Sequence, residues 1–233
     1  MITSKDNAKI KYINKLKQKK FRDKEQRFLI FGEHLIMEAL NTNQELEIYT
    51  TNPDKDGILI SEPLMKQISF LNNHKDVFAV VSKPNKNKPY SKKILILDDV
   101  QDPTNVGALI RSAVGFGFET IIVSNKSADF YNEKVISSSQ GAIFHANLVR
   151  TDLVKEIEKL KKSNYQIIGS FPLGGKDLKT FKAKEKFVLI LGNEGSGIKK
   201  EVEDMLDEKV KIETTKIESL NVAVAGAIFM YKL

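Results

Sequence analysis

From residue 94 to the C-terminus, apolar runs four or five residues long alternate with stretches whose apolar positions recur at three- and four-residue spacing. The first pattern is that of strands buried on both faces, and the second is that of helices with one inward face. Strands are predicted at residues 94–97, 120–123, 146–149, 166–170 and 187–191, and helices at 105–116, 133–140 and 153–162. A C-terminal helix over 220–231, with Ser219 as its N-cap, carries Val222, Gly226 and Phe229 on one stripe with alanines between. Strands alternating with helices imply a mostly parallel sheet covered on both faces.

The first third of the chain reads differently. Residues 7–20 are expected as one amphipathic helix, with Ile10, Ile13 and Leu16 inward and lysines outward. A strand at 28–31, a turn at Gly32 and a helix at 33–40 follow, then strands near 47–50, 58–61 and 77–81 and a helix over 63–71 that opens on Pro63. This is a small α/β domain. The stretch SKPNKNKPYSKK has two prolines, many lysines and no apolar periodicity, as a linker does. The expected division is therefore 1–82, a linker over 83–93, and 94–233.

A formal charge of +7 favours a polyanionic partner, and its distribution says more than its sum. Lysines crowd the segment from Lys5 to Lys24, with Tyr12 and Phe21 among them, and crowd the linker again. A charged run is first of all a solvated face. The chain has no cysteine, which removes disulfides and thiolate metal sites and fits a cytoplasmic protein. His34, His74 and His145 are scattered, so no metal is expected, and no apolar run is long enough to cross a membrane.

Glycines 192, 195 and 197 follow the strand at 187–191 and permit a sharp turn and close approach by another molecule. A conventional dinucleotide fold places such a fingerprint after its first strand. Here the first strand leads instead into Asp98-Asp99-Val100-Gln101-Asp102-Pro103-Thr104-Asn105, which argues against that fold.

The glycine turn GNEGSG, the C-terminal ESLNVAVAGAIFMY and the earlier ILDDVQDPTNVGALIRSA closely resemble, in order, the second, third and first motifs of the SpoU-type (TrmH-like) RNA ribose methyltransferases. The N-terminal segment also resembles the substrate-binding domain of that family, so the likeness covers essentially the whole chain. It implies a SPOUT-type α/β domain with a deep C-terminal trefoil knot, something chain topology alone argues against, plus a small N-terminal α/β RNA-binding domain. It implies S-adenosylmethionine as methyl donor, held largely by backbone groups at Gly192, Ile212 and Leu220 with Asn193 and Ser170 nearby. It implies a homodimer acting on ribosomal or transfer RNA. The catalytic set carried over is Asn105, Arg111, Glu194, Ser219 and Asn221.

In that family the arginine matching Arg111 is the activator of the ribose hydroxyl. An arginine holds its proton at any ordinary pH and is a poor base, so the role read here is to grip the adjoining phosphate and favour developing charge on the oxygen. The third motif departs from the family pattern: Ile212-Glu213-Thr214-Thr215-Lys216 is one residue short, although Ser219 to Asn221 is intact. Two other readings stay open at this point, a non-catalytic RNA-binding protein of the same fold and a base methyltransferase. Because the matched loops all follow Ile94, a fragment starting near Tyr90 is expected to bind donor without the N-terminal domain.

Overall fold

The computed structural model describes residues 1–69, 75–84 and 88–233. Its N-terminal half opens with α1 (Ala8–Lys15), capped by the Asn7 side chain, which accepts from the Lys9 amide. The single helix expected over 7–20 is two, with α2 at Lys19–Glu25. The break has a chemical anchor. Arg22 turns its guanidinium back onto the carbonyls of Leu16 and Lys17, at 3.0 and 2.8 Å, satisfying acceptors that a helix end leaves without partners.

Strands β1 (Arg27–Phe31), β2 (Leu46–Thr50), β3 (Ile58–Leu59) and β4 (Val77–Ser82) form a mixed sheet in the order β1-β4-β2-β3. The helices α3 (Glu33–Asn41) and α4 (Glu62–Ile68) complete this half. The predicted extension of α4 to residue 71 and part of the linker, 85–87, fall outside the described residues. Side chains alternate along β1 as a pleated strand requires. Leu29 and Phe31 join Ile10, Ile13, Leu64 and Met65 on one face, while Phe28 and Ile30 join Leu35, Ile36 and Ala39 on the other.

That second face does not stop at the N-terminal half. Ile136, Ile143 and Phe144, from the C-terminal half, pack into the same cluster. Arg22 Nη2 also donates to Asp129 Oδ2 at 2.7 Å in a nearly buried ion pair. Gly141 lies so close to Glu38 that a Cβ there would meet the Glu38 side chain at 2.5 Å. The seam between the halves is therefore a packed core.

The C-terminal half is a seven-stranded sheet, ordered β7-β6-β5-β10-β8-β11-β9, with every pairing parallel. Its strands are β5 (Lys93–Leu97), β6 (Thr120–Val123), β7 (Asn147–Arg150), β8 (Gln166–Phe171), β9 (Lys176–Asp177), β10 (Phe187–Leu191) and β11 (Glu208–Lys211). Lys93, expected in the linker, is the first residue of β5. Five strands follow the apolar runs, with ends shifted by a residue at most. The short charged strands β9 and β11 were not predicted, since at the sheet margin only Val210 is buried and no alternation survives.

The helices α5 (Pro103–Gly115), α6 (Glu133–Ser139) and α9 (Val222–Lys232) cover one face, and α7 (Leu153–Lys162) with α8 (Lys200–Glu203) covers the other. Strand β10 occupies the centre, between β5 and β8, and feeds both cores: Leu189 and Leu191 toward α5 and α9, Val188 and Ile190 toward α7. Close packing needs two glycines in particular. A Cβ at Gly107 would strike the Val135 carbonyl oxygen at 2.5 Å, and one at Gly226 would strike Leu109 at 2.4 Å.

Candidate active site

The carboxyl ends of β10, β8 and β11, together with the start of α9, enclose a cavity of about 420 Å³. That volume lies within the range of small-molecule sites. Apolar walls come from Leu191, Phe171 and Phe229. Among the described residues two carboxylates, Glu194 and Glu218, line it, and no lysine, arginine or histidine does. A cavity with that charge suits a cation, and the sulfonium and ammonium of S-adenosylmethionine fit it better than an anionic nucleotide would.

The five residues expected around the donor, Ser170, Gly192, Asn193, Ile212 and Leu220, all line this cavity. Gly192 has no room for a side chain, because a Cβ would lie 2.2 Å from the Gly197 carbonyl carbon. Asn193 and Gly197 exchange backbone hydrogen bonds at 3.0 Å in both directions, closing the turn. Gly197 takes the left-handed conformation with φ +71°. Thus two of the glycines serve the loop's own geometry first.

Of the five residues expected in catalysis, Glu194, Ser219 and Asn221 also line the cavity. Asn105 joins them by hydrogen bonds. Its Nδ2 donates to Glu194 Oε1 at 3.1 Å, and its Oδ1 accepts from Asn221 Nδ2 at 3.1 Å. Asn221 Oδ1 in turn accepts from the amides of Ala223 and Val224 at 2.9 and 3.3 Å. Both amide groups are thereby oriented without ambiguity by their neighbours. The other Glu194 contacts are the amides of Gln101 and Asp102, at 3.4 and 3.3 Å.

This corrects the assignment of the α9 cap. Asn221, not Ser219, caps the helix, which begins at Val222 rather than Leu220. Asparagine is among the strongest N-caps, and Ser219 lies two residues too early, exposed to solvent. At the other end of the relay Asp102 caps α5, accepting from the amides of Thr104 and Asn105 at 2.7 and 3.0 Å. Those amides, Asn105 first, hold its carboxyl below the usual carboxylate range.

Arg111 stands apart. It lies about 9 Å along α5 from Asn105 and roughly a third of a turn around the helix, exposed to solvent and outside the cavity lining. It also makes no hydrogen bond or ion pair to any described residue. Sequence reasoning missed Phe171, Pro172, Glu218 and Phe229 as cavity walls. Phe229 was expected only as a core residue of its helix, and Glu218 only as the opening residue of the ESLN segment; Phe171 and Pro172 carry no motif, and only the adjacency of β8 to β10 brings them in.

Known proteins match this arrangement. Residues 92–231 match the SpoU rRNA Methylase family, and residues 7–88 match the MRM3-like substrate binding domain. The chain is 32% identical, over its whole length and 98% of the relative, to the 23S rRNA (guanosine(2553)-2′-O)-methyltransferase RlmP of Bacillus subtilis. The crystal structure of an RNA 2′-O ribose methyltransferase superposes with a TM-score of 0.85 at 26% identity, covering 99% of this chain and 96% of that one. The fold is shared as well by the SpoU methyltransferase AviRb of Streptomyces viridochromogenes, solved with AdoMet bound, with a TM-score of 0.87 at 22% identity over 97% and 96% of the two chains.

Proposed function

The chain belongs to the SpoU rRNA methylase family, and from that premise we propose that it transfers a methyl group from S-adenosylmethionine to a ribose 2′-hydroxyl of ribosomal RNA. The observation that carries this reading is the hydrogen-bonded chain Glu194–Asn105–Asn221 at an acidic cavity that the predicted donor residues line. The relative's name points to guanosine 2553 of 23S rRNA as the nucleotide to test first.

When bound, the donor supplies an electrophilic methyl group on a positive sulfur. The protein's part is placement and charge. Glu194 accepts from three N–H groups, which makes it a firm anchor for the loop before α5. Asn105 and Asn221 have their polar atoms engaged, and the exposed Ser219 hydroxyl beside them on the cavity wall is placed to orient the ribose oxygen. Arg111 supplies what the cavity lacks, a cation for the phosphate next to the target ribose.

Arg111 meets that site from a second copy of the chain. Val224, Ile228 and Tyr231 of α9 are exposed, as is Phe116, the C-cap of α5, whose ring lies 5.7 Å from that of Tyr231. Such an apolar surface supports a homodimer. In the same reading residues 1–82 bind the RNA, the part from Lys93 at the start of β5 onward holds the donor and the chemistry, and the protein acts in the cytoplasm where ribosomes are. The trefoil knot belongs to it too, since a C-terminal segment drawn through an earlier loop would bring the start of α9 against the loops after β10 and β11.

Ribosomal RNA from cells lacking the protein, incubated with it and labelled donor, should gain one ribose methyl group. The same RNA segment with a 2′-deoxy sugar at the mapped nucleotide should bind and stay unmethylated. Methylation of the deoxy RNA would move the acceptor to a base and reject this reading.

A further inference from the structure

The glycine turn that walls the donor cavity is held from outside by a cluster that does not touch the cavity. Asp99, nearly buried after β5, has φ +56°, a left-handed conformation in which glycine or asparagine is at ease and aspartate is uncommon. In that conformation its carbonyl oxygen accepts from Asn193 Nδ2 at 2.8 Å. Asn193 spends its other amide atom on the turn itself, Oδ1 accepting from the amides of Gly195 and Ser196 at 2.9 and 3.0 Å. The turn therefore takes its position from the Asp99 backbone.

The Asp99 side chain accounts for how that backbone stays put. Its Oδ1 accepts from Ser124 Oγ at 2.6 Å, and its own amide donates to the same Ser124 oxygen at 3.0 Å. Its Oδ2 pairs with Lys199 Nζ at 2.9 Å. Lys199 is also fastened by its main chain, the amide donating to Oδ2 of the fully buried Asp98 at 2.8 Å. Burial works against ionisation of Asp99, but Ser124 and Lys199 outweigh it and hold the carboxyl below its usual range. Lys199 follows the turn by two residues, so the cluster grips the turn at both ends: Asn193 going in and Lys199 coming out.

We infer that Asp99, locked by Ser124 and Lys199, is a positioning residue for S-adenosylmethionine binding, acting through Asn193 on the donor-binding turn. The inference rests on the methyl-donor reading of the cavity, and it assigns to the aspartate a purpose that backbone conformation does not require. A glycine would adopt the same φ more easily and would lose both side-chain contacts.

Asp99→Gly and Asp99→Asn in the full-length protein separate the two contributions. Glycine keeps the backbone and drops the carboxylate; asparagine keeps the left-handed preference and the Ser124 contact. Donor Kd by calorimetry should rise about tenfold for glycine, the scale of one lost charge-assisted hydrogen bond, and stay within about threefold of wild type for asparagine. At saturating donor the glycine variant should recover kcat, placing the defect in donor KM, and its RNA affinity should be unchanged. Lys199→Met removes only the side-chain grip and should weaken donor binding severalfold, which keeps the test available if glycine impairs folding. Wild-type donor Kd in folded Asp99→Gly or folded Lys199→Met, or a kcat loss that donor does not restore, overturns the inference. Wild-type protein that binds no donor defeats the methyl-donor reading itself, and the inference with it.

Discussion

Asn105 and Asn221, 116 residues apart in the chain, meet side chain to side chain at 3.1 Å, and through them the start of α5 is tied to the start of α9. Asn221 does two jobs at once in this contact, donating to Asn105 and capping α9. The jobs can be separated. Asn221→Ala should lose both, with a stability cost of about 1 kcal/mol for the cap and a large fall in methyl transfer. Asn221→Asp keeps a capping oxygen but sets a carboxylate against the Asn105 carbonyl oxygen, so thermal unfolding should stay near wild type while kcat falls. Equal Tm losses in both variants, with activity tracking Tm, would reduce Asn221 to a cap.

Arg111, exposed and without a described partner, should be replaceable at little cost to the fold. Arg111→Ala should keep stability within about 0.5 kcal/mol and leave donor affinity unchanged. Transfer should fall by roughly 100-fold, the order of one lost charge-stabilising donor. Lysine should restore little, because a point charge does not reproduce the planar fork on phosphate. Single-turnover rates with wild-type speed in the alanine variant would remove Arg111 from the chemistry.

RNA affinity should fall with salt, each phosphate contact contributing a slope of roughly −0.7 to −0.9. The lysines of α1, α2 and the break between them do not contribute alike. Lys9 is paired with Glu47, Lys19 with Asp23, and Lys17 Nζ donates to the Gln67 carbonyl. Lys15 and Lys20 lie over the Phe21 ring and pair with no described carboxylate. Neutralising Lys15 and Lys20 together should flatten the slope more than neutralising Lys17 and Lys19. The same slope in both double variants would make this surface a solvated face.

The seam between the halves qualifies the expectation that residues from about Tyr90 suffice for donor binding. Every residue lining the cavity lies between Ser170 and Phe229, so a folded fragment should retain donor affinity. The fragment also uncovers Ile136, Ile143 and Phe144 and strips Asp129 of Arg22, so it should melt well below the full chain. In the full chain Arg22→Ala should cost about 3 kcal/mol or more, as breaking one partner of a buried pair does. A fragment melting with the intact protein would show that the seam contributes nothing.

What the sequence determined by itself is what local pattern can encode. Five strands buried on both faces announce themselves as unbroken apolar runs, because such a strand admits no polar position. The residues that line the cavity after β10 and at the start of α9 were likewise legible, from short motifs of the chain. Tertiary structure alone decided the rest. Strands β9 and β11 carry no run because they lie at the sheet margin, where charge is tolerated and only Val210 is buried. The break between α1 and α2 depends on Arg22, whose partner Asp129 is 107 residues away. The cap of α9 shifted from Ser219 to Asn221, and Arg111 fell outside the cavity, because both depend on how α5 packs on α9 and no single segment contains that packing. The left-handed turn at Asp99 was invisible for the same reason: its aspartate looks ordinary in the sequence until Ser124, Lys199 and Asn193 converge on it from two other parts of the chain.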